Sequence, residues 1–243
     1  MVRSPAPGVI ALWSAPRSRS TAFLRYMVEH GGVVALHEPF CNLADFGETT
    51  VDGRAIHSPA ELIAAIRELA RTRTVFLKDT TDQRCPAVLG DATFLREVRH
   101  TFLIRRPTEV ASSFFALKPD MRLADIGIAH QHELLETIRA AGGDAAAIVD
   151  AADLMADPAA VLAGYCAAVG LPFRPEALSW PAGARTEWER SGRWHAEVSA
   201  STGFAAAASR YADTTENNPR LAAFSAFHEP YYQDLHAQRL IAV

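Results

Sequence analysis

The stretch SAPRSRSTAF, residues 14–23, sets two arginines among hydroxyls: Arg17, Ser18, Arg19, Ser20 and Thr21. A helix start needs one capping side chain, so this density of donors suits an anion. Arg17 can grip two oxygens of a phosphate or sulfate at once, and Ser18, Ser20 and Thr21 donate at close range. The spacing is not that of a P-loop kinase, which needs glycines and a lysine before its Ser or Thr. Nor does any cysteine precede an arginine at the reach a cysteine phosphatase needs. The plainer alternative is a capped helix carrying two surface arginines.

A second stretch, FLIRRPTEVASSFF, puts Arg105 at the end of an apolar run and Ser113 eight residues on. With Pro107 near a helix start, Ser113 lies about two turns in, at roughly 3.6 residues per turn. Its hydroxyl and the Arg105 guanidinium then suit one phosphate. The alternative here is a helix-start arginine and a small packing serine.

Such groups need a frame, and apolar periodicity supplies one. VIALW (9–13) reads as a buried strand, continuous and partly β-branched. VVAL (33–36), TVFLK (74–78), HTFLI (100–104) and AAIVDA (146–151) read as strands two to five. A helix follows Ser20, with Phe23, Leu24, Met27 and Val28 at helical spacing. Another opens at SPAE (58–61), with Ser58 as N-cap, Pro59 in the first turn and Glu61 closing a capping box. Further helices start near Pro107 and at Asp157, the last ending at Gly170. This alternation predicts an α/β fold of three layers, a central, mostly parallel sheet of about five strands with helices on both faces. Ligands bind such sheets at the carboxyl ends of the strands, where helix N-termini offer N–H groups. Both anion stretches fall at strand-to-helix junctions. Residues 38–57 are aperiodic, and the tail from about 175 reads as helices and loops covering one edge.

Composition bounds the function. The chain has 243 residues, 49% hydrophobic and 21% charged, with a net charge of −4. No global basic field advertises nucleic acid or a membrane surface, so any anion site is local. Cys41, Cys85 and Cys166 are scattered and odd in number, which fits reduced thiols and a cytoplasmic protein. The apolar run in MVRSPAPGVIALW is too short for a secretory signal, and no stretch approaches the roughly 20 apolar residues of a span.

Together the two anion stretches resemble the sulfotransferases that use 3′-phosphoadenosine-5′-phosphosulfate (PAPS). In that family a loop of the form Pro-Arg/Lys-Ser-x-Ser/Thr-Thr binds the 5′-phosphosulfate. Here it reads Pro16-Arg17-Ser18-Arg19-Ser20-Thr21. An Arg with a Ser eight residues later, inside Arg-x-Pro-x-x-Val-x-x-Ser, binds the 3′-phosphate, and here it runs from Arg105 to Ser113. The resemblance covers most of residues 8–180 and fades beyond. It implies a P-loop-NTPase-like domain over 1–243, with 8–180 as the nucleotide-binding core and 181–243 as a covering segment. It also implies PAPS as donor, adenosine 3′,5′-bisphosphate as product, a small-molecule hydroxyl acceptor and no metal. It leaves the acceptor and the oligomeric state open, a homo-oligomer included.

Sulfuryl transfer is an in-line displacement at sulfur, so the acceptor hydroxyl must lose its proton as it attacks, and a cation must meet charge on the leaving oxygen. Members acting on phenols and steroids use a histidine near a Lys-Thr-His after the third strand, where this chain reads Lys78-Asp79-Thr80. Members acting on protein tyrosine use a glutamate after the second strand, where ALHEPF places Glu38. The resemblance thus implies Glu38 as general base, with Lys78 and Arg17 on the leaving phosphate. Partial burial beside Pro39 and Phe40 would raise the Glu38 pKa toward the working pH. Asp79 and His37 are the alternative bases, His37 being expected on the opposite side of its strand. His130 and His132 are too poorly spaced for a metal pair and read as solvated helix. In WERSGRWHAEVSASTGF (188–204), Arg190, Arg193, Ser199, Ser201 and Thr202 are candidates to close over the 3′-phosphate or acceptor. A fold-retaining, non-catalytic nucleotide-binding protein is the second reading, and a P-loop-type kinase the third.

Overall fold

The computed structural model describes residues 7–183, 185–204 and 211–241, with the side chains of 190, 191 and 193 excepted. The chain runs β1(Gly8–Ser14), α1(Ser20–His30), β2(Val34–His37), α2(Pro39–Phe46), β3(Thr49–Val51), β4(Arg54–Ile56), α3(Pro59–Leu69) and β5(Thr74–Thr80). It continues α4(Pro86–Gly90), α5(Ala92–Glu97), β6(Arg99–Ile104), α6(Pro107–Phe115), α7(Ile128–Ala140), β7(Ala145–Asp150), α8(Ala151–Ala156), α9(Pro158–Val169), α10(Ala196–Ala200) and α11(Pro219–Ala237). Three-ten turns lie at Leu123–Ile126, Pro175–Leu178 and Thr186–Trp194.

Five strands pair in the order β2-β5-β1-β6-β7, every pair parallel. Because helices cover both faces, alternate residues of each strand feed two separate cores, which is why the strands read as unbroken apolar runs. Ala11, Trp13, Leu77, Phe102 and Ile104 pack under α2, α3, α5, α6, α7 and α11. Ile10, Leu12, Phe76 and Leu103 pack under α1 and α9. Burying one such Leu, Ile or Phe contributes about 1.5–3 kcal/mol, against about 0–1 for an exposed ion pair. The two apolar layers, not the surface salt bridges, therefore hold the sheet. Among the described residues no helix is long and apolar enough to cross a membrane.

The chain leaves β1 toward β2, returns along β5, and crosses past β1 to β6. A crevice consequently opens at the carboxyl ends of β1, β5 and β6. Buried polar bonds set its walls. Gln131 of α7 donates Nε2 to the carbonyls of Trp13 (3.0 Å) and Leu103 (3.1 Å). Thr81 donates both its N–H and its hydroxyl to the Ser14 carbonyl. Gly127 makes the fit at this corner possible: it sits at φ +79, and a Cβ there would meet Thr81 backbone and Oγ1 at 2.9 Å. Gly127→Ala should cost about 1–3 kcal/mol from the left-handed backbone alone, with the clash added. Urea unfolding of the variant checks this, and an unchanged midpoint would refute it.

Local differences from the sequence reading have physical causes. Residues 38–57 are structured, holding α2 and the β3–β4 hairpin, whose turn is Asp52 (φ 49) and Gly53 (φ 78). Two residues with positive φ are the demand of a type I′ turn, and Asp-Gly meets it. The capping box is also altered. Ser58 Oγ accepts the Glu61 N–H at 3.3 Å, but the Glu61 carboxylate turns to the His57 N–H and to Arg54. The tail does more than cover an edge: α11 lies against α6 and α7 and sends Leu221, Tyr232 and Leu235 into the core. His130 and His132 are half-buried rather than solvated, the first meeting the Thr81 carbonyl and the second Asp234.

Candidate active site

A polar cleft of about 780 Å³ occupies the crevice. Arg17, Arg19, Ser20, Thr21, Glu38, Lys78, Arg105 and Ser113 all line it. Of the loop's candidates, Ser18 turns inward: it is fully buried and donates to the Ala15 carbonyl, bracing the loop rather than facing the cleft. Arg17 and Arg19 hold left-handed backbones at φ 61 and 68, as does Glu38 at φ 46. Non-glycine residues in this region cost about 1–3 kcal/mol each, and such strain concentrates at functional sites.

The loop joins the two anion stretches. The Arg17 guanidinium donates from Nε to Ser113 Oγ (3.1 Å) and from Nη1 to the Trp194 carbonyl (2.8 Å). Arg105 donates from Nη1 to the Arg17 carbonyl and from Nε to Glu109 (2.7 Å). Arg19 pairs with Glu197 at 3.1 Å, and Thr21 Oγ1 lies 2.8 Å from His195 Nδ1. Oxygen acceptors of the chain itself thus meet the cations that an anionic ligand would claim. Burial draws the Arg17 pKa below its usual value.

Glu38 caps α2 directly after β2, and its carboxylate makes an ion pair with Lys78, which is 1% exposed. Burial alone would raise the carboxyl, but the Lys78 ammonium, with His37 and His195, outweighs it and holds the pKa at about 2. This reverses the expected upward shift. Lys78 is oriented by the sheet: it is the register partner of His37, and register partners on parallel strands share a face. His37 therefore does not lie away from the site. Its Nε2 is 3.7 Å from Glu38 Oε1, because the left-handed turn at Glu38 ends the strand alternation and folds the carboxylate back.

Asp79 points elsewhere. Its carboxylate accepts the N–H groups of Phe40 (2.7 Å) and Cys41 (3.3 Å), so it anchors the start of α2. Burial raises its pKa to about 7. His37 and His195 are both held neutral, at about 4 and about 3, chiefly by burial. Ligand atoms of His37, Glu38 and His195 lie within 4.8 Å of one another, the grouping among the described residues able to hold a metal ion. Lys78 already supplies a cation to that carboxylate.

His195 and Glu197 were not among the residues singled out from the sequence, since nothing in their local spacing distinguishes them. Ser199 and Ser201 accept from the indoles of Trp188 and Trp180 and do not line the cleft. Thr202 likewise stays off the cleft, its carbonyl accepting the Trp180 N–H. The side chains of Arg190 and Arg193 lie outside the described residues.

The class is thus α/β, an open parallel sheet with a cation-lined cleft at its carboxyl edge. The particular family is plain from comparison: the chain belongs to the sulfotransferase domain family, a family of transferases, whose model matches residues 9–238. Branched-chain-amino-acid aminotransferase-like proteins 2 and 1 of Arabidopsis thaliana are 28% and 25% identical over 81% and 82% of this chain. The matches cover only 36% and 37% of those relatives, so the chain spans little more than a third of their length. Among solved structures, the sulfotransferase domain of the Synechococcus PCC 7002 olefin synthase is 15% identical, with 94% of this chain and 98% of that one covered at a TM-score of 0.47. The sulfotransferase domain from the curacin biosynthetic pathway is 18% identical, with 72% and 78% covered at 0.42.

Proposed function

We propose that the chain transfers a sulfuryl group from PAPS to a hydroxyl of a small-molecule acceptor. The observation that carries this reading is the meeting, in one cleft, of the Arg17–Thr21 loop, the Glu38–Lys78 pair and the Arg105–Ser113 pair. The fit to a doubly anionic nucleotide rests on those cations, which already meet the Trp194 carbonyl, Glu197 and Glu109. When bound, PAPS would supply the sulfuryl group and a stable leaving group, adenosine 3′,5′-bisphosphate. Arg17, Arg19, Ser20 and Thr21 would hold its 5′ end, with Ser18 bracing the loop. Arg105 and Ser113 would hold the 3′-phosphate.

Glu38 takes the acceptor's proton as the hydroxyl oxygen bonds to sulfur and the bond from sulfur to the bridging phosphate oxygen breaks. Lys78 and Arg17 stabilise the charge left on that oxygen. Lys78 serves both roles in turn: drawn to the leaving phosphate, it releases Glu38, whose buried carboxylate then becomes a better base. His195 links the anion loop to the base, touching Thr21 while its ring lies against His37, the neighbour of Glu38.

Titration calorimetry with adenosine 3′,5′-bisphosphate tests the donor assignment. One equivalent should bind, and Arg17→Ala or Arg105→Ala should weaken it by about 10–100-fold, the worth of a charge-assisted hydrogen bond. Magnesium-dependent turnover of ATP with no response to the bisphosphate would favour the kinase reading. Bisphosphate binding with no acceptor sulfated across a broad alcohol and phenol panel would favour the non-catalytic one.

A further inference from the structure

Helix α2 separates the cleft from a second cavity of about 280 Å³. Glu38, Asn42, Asp45 and Phe46 face the cleft, whereas Phe40, Cys41, Leu43 and Ala44 face the cavity. The chemistry of the two spaces is opposite. The cavity is walled by Trp13, Phe40, Leu43, Val88, Leu89 and Leu134. Its lining has no lysine, and its single arginine, Arg84, is committed in a bidentate pair to Glu133. Asp79, also on the lining, is spent on the first N–H groups of α2. An anionic nucleotide has nothing to bind there, while an apolar group loses little and gains burial.

The two spaces share a rim. Thr80 and Gln83 line both, and Gln83 donates to Asp45 at 2.7 Å, tying the loop after β5 to α2 along their common rim. The same strand end thus presents Lys78 to the cleft and, two residues on, Thr80 to both spaces. Thr80 stands between the Glu38 end of the cleft and the apolar cavity.

We propose that this cavity is the acceptor subsite, holding the apolar body of an alcohol or phenol whose hydroxyl lies beside Glu38. The proposal rests on the sulfuryl-transfer reading of the cleft and names its substrate class. At about 280 Å³ the cavity takes a chain of several carbons rather than one or two. Acceptors of that length are therefore favoured over short, highly polar ones, and charged bodies are rejected.

The probe is a series of straight-chain primary alcohols from ethanol to dodecanol, offered to the full chain with adenosine 3′,5′-bisphosphate bound. Binding is read by calorimetry and by quenching of the Trp13 contribution to fluorescence, with Trp13→Phe as control. Transfer is read separately with PAPS. Affinity should rise about fourfold per methylene, the effect of burying one such group, and level off once the chain fills the cavity. Ala87→Phe, which fills the cavity from the partly exposed start of α4, should abolish that dependence while leaving bisphosphate affinity unchanged. Leu89→Phe serves the same purpose should the first variant fail to fold. Transfer independent of chain length, or a dependence both variants keep, overturns the cavity's role alone. Length-dependent binding with no alcohol ever sulfated overturns the transfer reading, and with it the acceptor role.

Discussion

Glu38→Gln should lower the rate of sulfuryl transfer by about 10²–10⁴-fold, the usual worth of a general base, while adenosine 3′,5′-bisphosphate still binds. The amide keeps the shape of the carboxylate but cannot take a proton. It also leaves the Lys78 ammonium, 1% exposed, without its partner. Breaking a buried pair on one side costs about 3–5 kcal/mol, and the cleft-facing position of Glu38 puts the loss at the lower end. Rates should therefore be compared at temperatures where the variant is folded. Lys78→Met separates the roles. It removes the cation that holds the Glu38 carboxyl at about 2, leaving burial as the largest influence, so the pKa rises. The acid limb of the pH–rate profile should then move upward, and the rate at its plateau should fall because the leaving oxygen has lost a cation. The double variant should be less destabilised than the two single changes added together, since it removes both charges. Full activity in Glu38→Gln would exclude Glu38 as base, and an unmoved acid limb in Lys78→Met would exclude the coupling.

The parts of the site that were legible in the sequence are those whose neighbours in space are also neighbours in the chain. Arg17 to Thr21 and Arg105 to Ser113 each lie in one strand-to-helix junction, so type and spacing suffice to find them. Glu38 and Lys78 could be placed because each follows a clear apolar strand. His195 could not, since it reaches Thr21 across 174 residues through the packing of the covering segment. Helix α2 was missed for a similar reason. Its first N–H groups are taken by Asp79, 39 residues from Phe40, and its cap is a glutamate with a left-handed backbone, so no local cap announces it. The β3–β4 hairpin with its Asp52-Gly53 turn was also missed, because strands of three residues are too short for alternation to register. In α11, Pro230 and contacts with both α6 and α7 blur the single-stripe pattern expected of a surface helix.

Acid should unfold this protein at an unusually high pH, because five buried imidazoles have their pKa lowered by burial, three of them strongly. His37 and His100 are held at about 4 and His195 at about 3, each mainly by burial, against 6.5 in the unfolded chain. Between pH 6.5 and about 4 the unfolded chain binds three protons at these positions that the folded chain refuses. Stability therefore falls with pH across that window, by about 1.4 kcal/mol per unit for each group. Asp79 acts in the opposite sense. Its folded value of about 7 lies above 3.8, so in the same window the folded chain holds a proton the unfolded chain has released. Across these four groups the imbalance is two protons, or about 3 kcal/mol per pH unit. Over two units that is comparable with the whole stability of an ordinary domain, about 5–15 kcal/mol. His30 and His228, also lowered by burial, add to the loss, and Asp82, raised by burial, offsets part of it. Glu38, held at about 2, adds a loss only below its ordinary 4.5, after most of the effect has passed. His100 isolates one proton without touching the cleft: its Nδ1 accepts the Trp13 indole N–H at 2.9 Å. Glutamine there can keep an acceptor for that indole and does not titrate. Urea unfolding measured from pH 7.5 to pH 5 should show the steep slope in the parent chain, reduced by about one proton in His100→Gln. A flat profile in the parent would mean that these imidazoles accept protons in place, and the burial argument would fail.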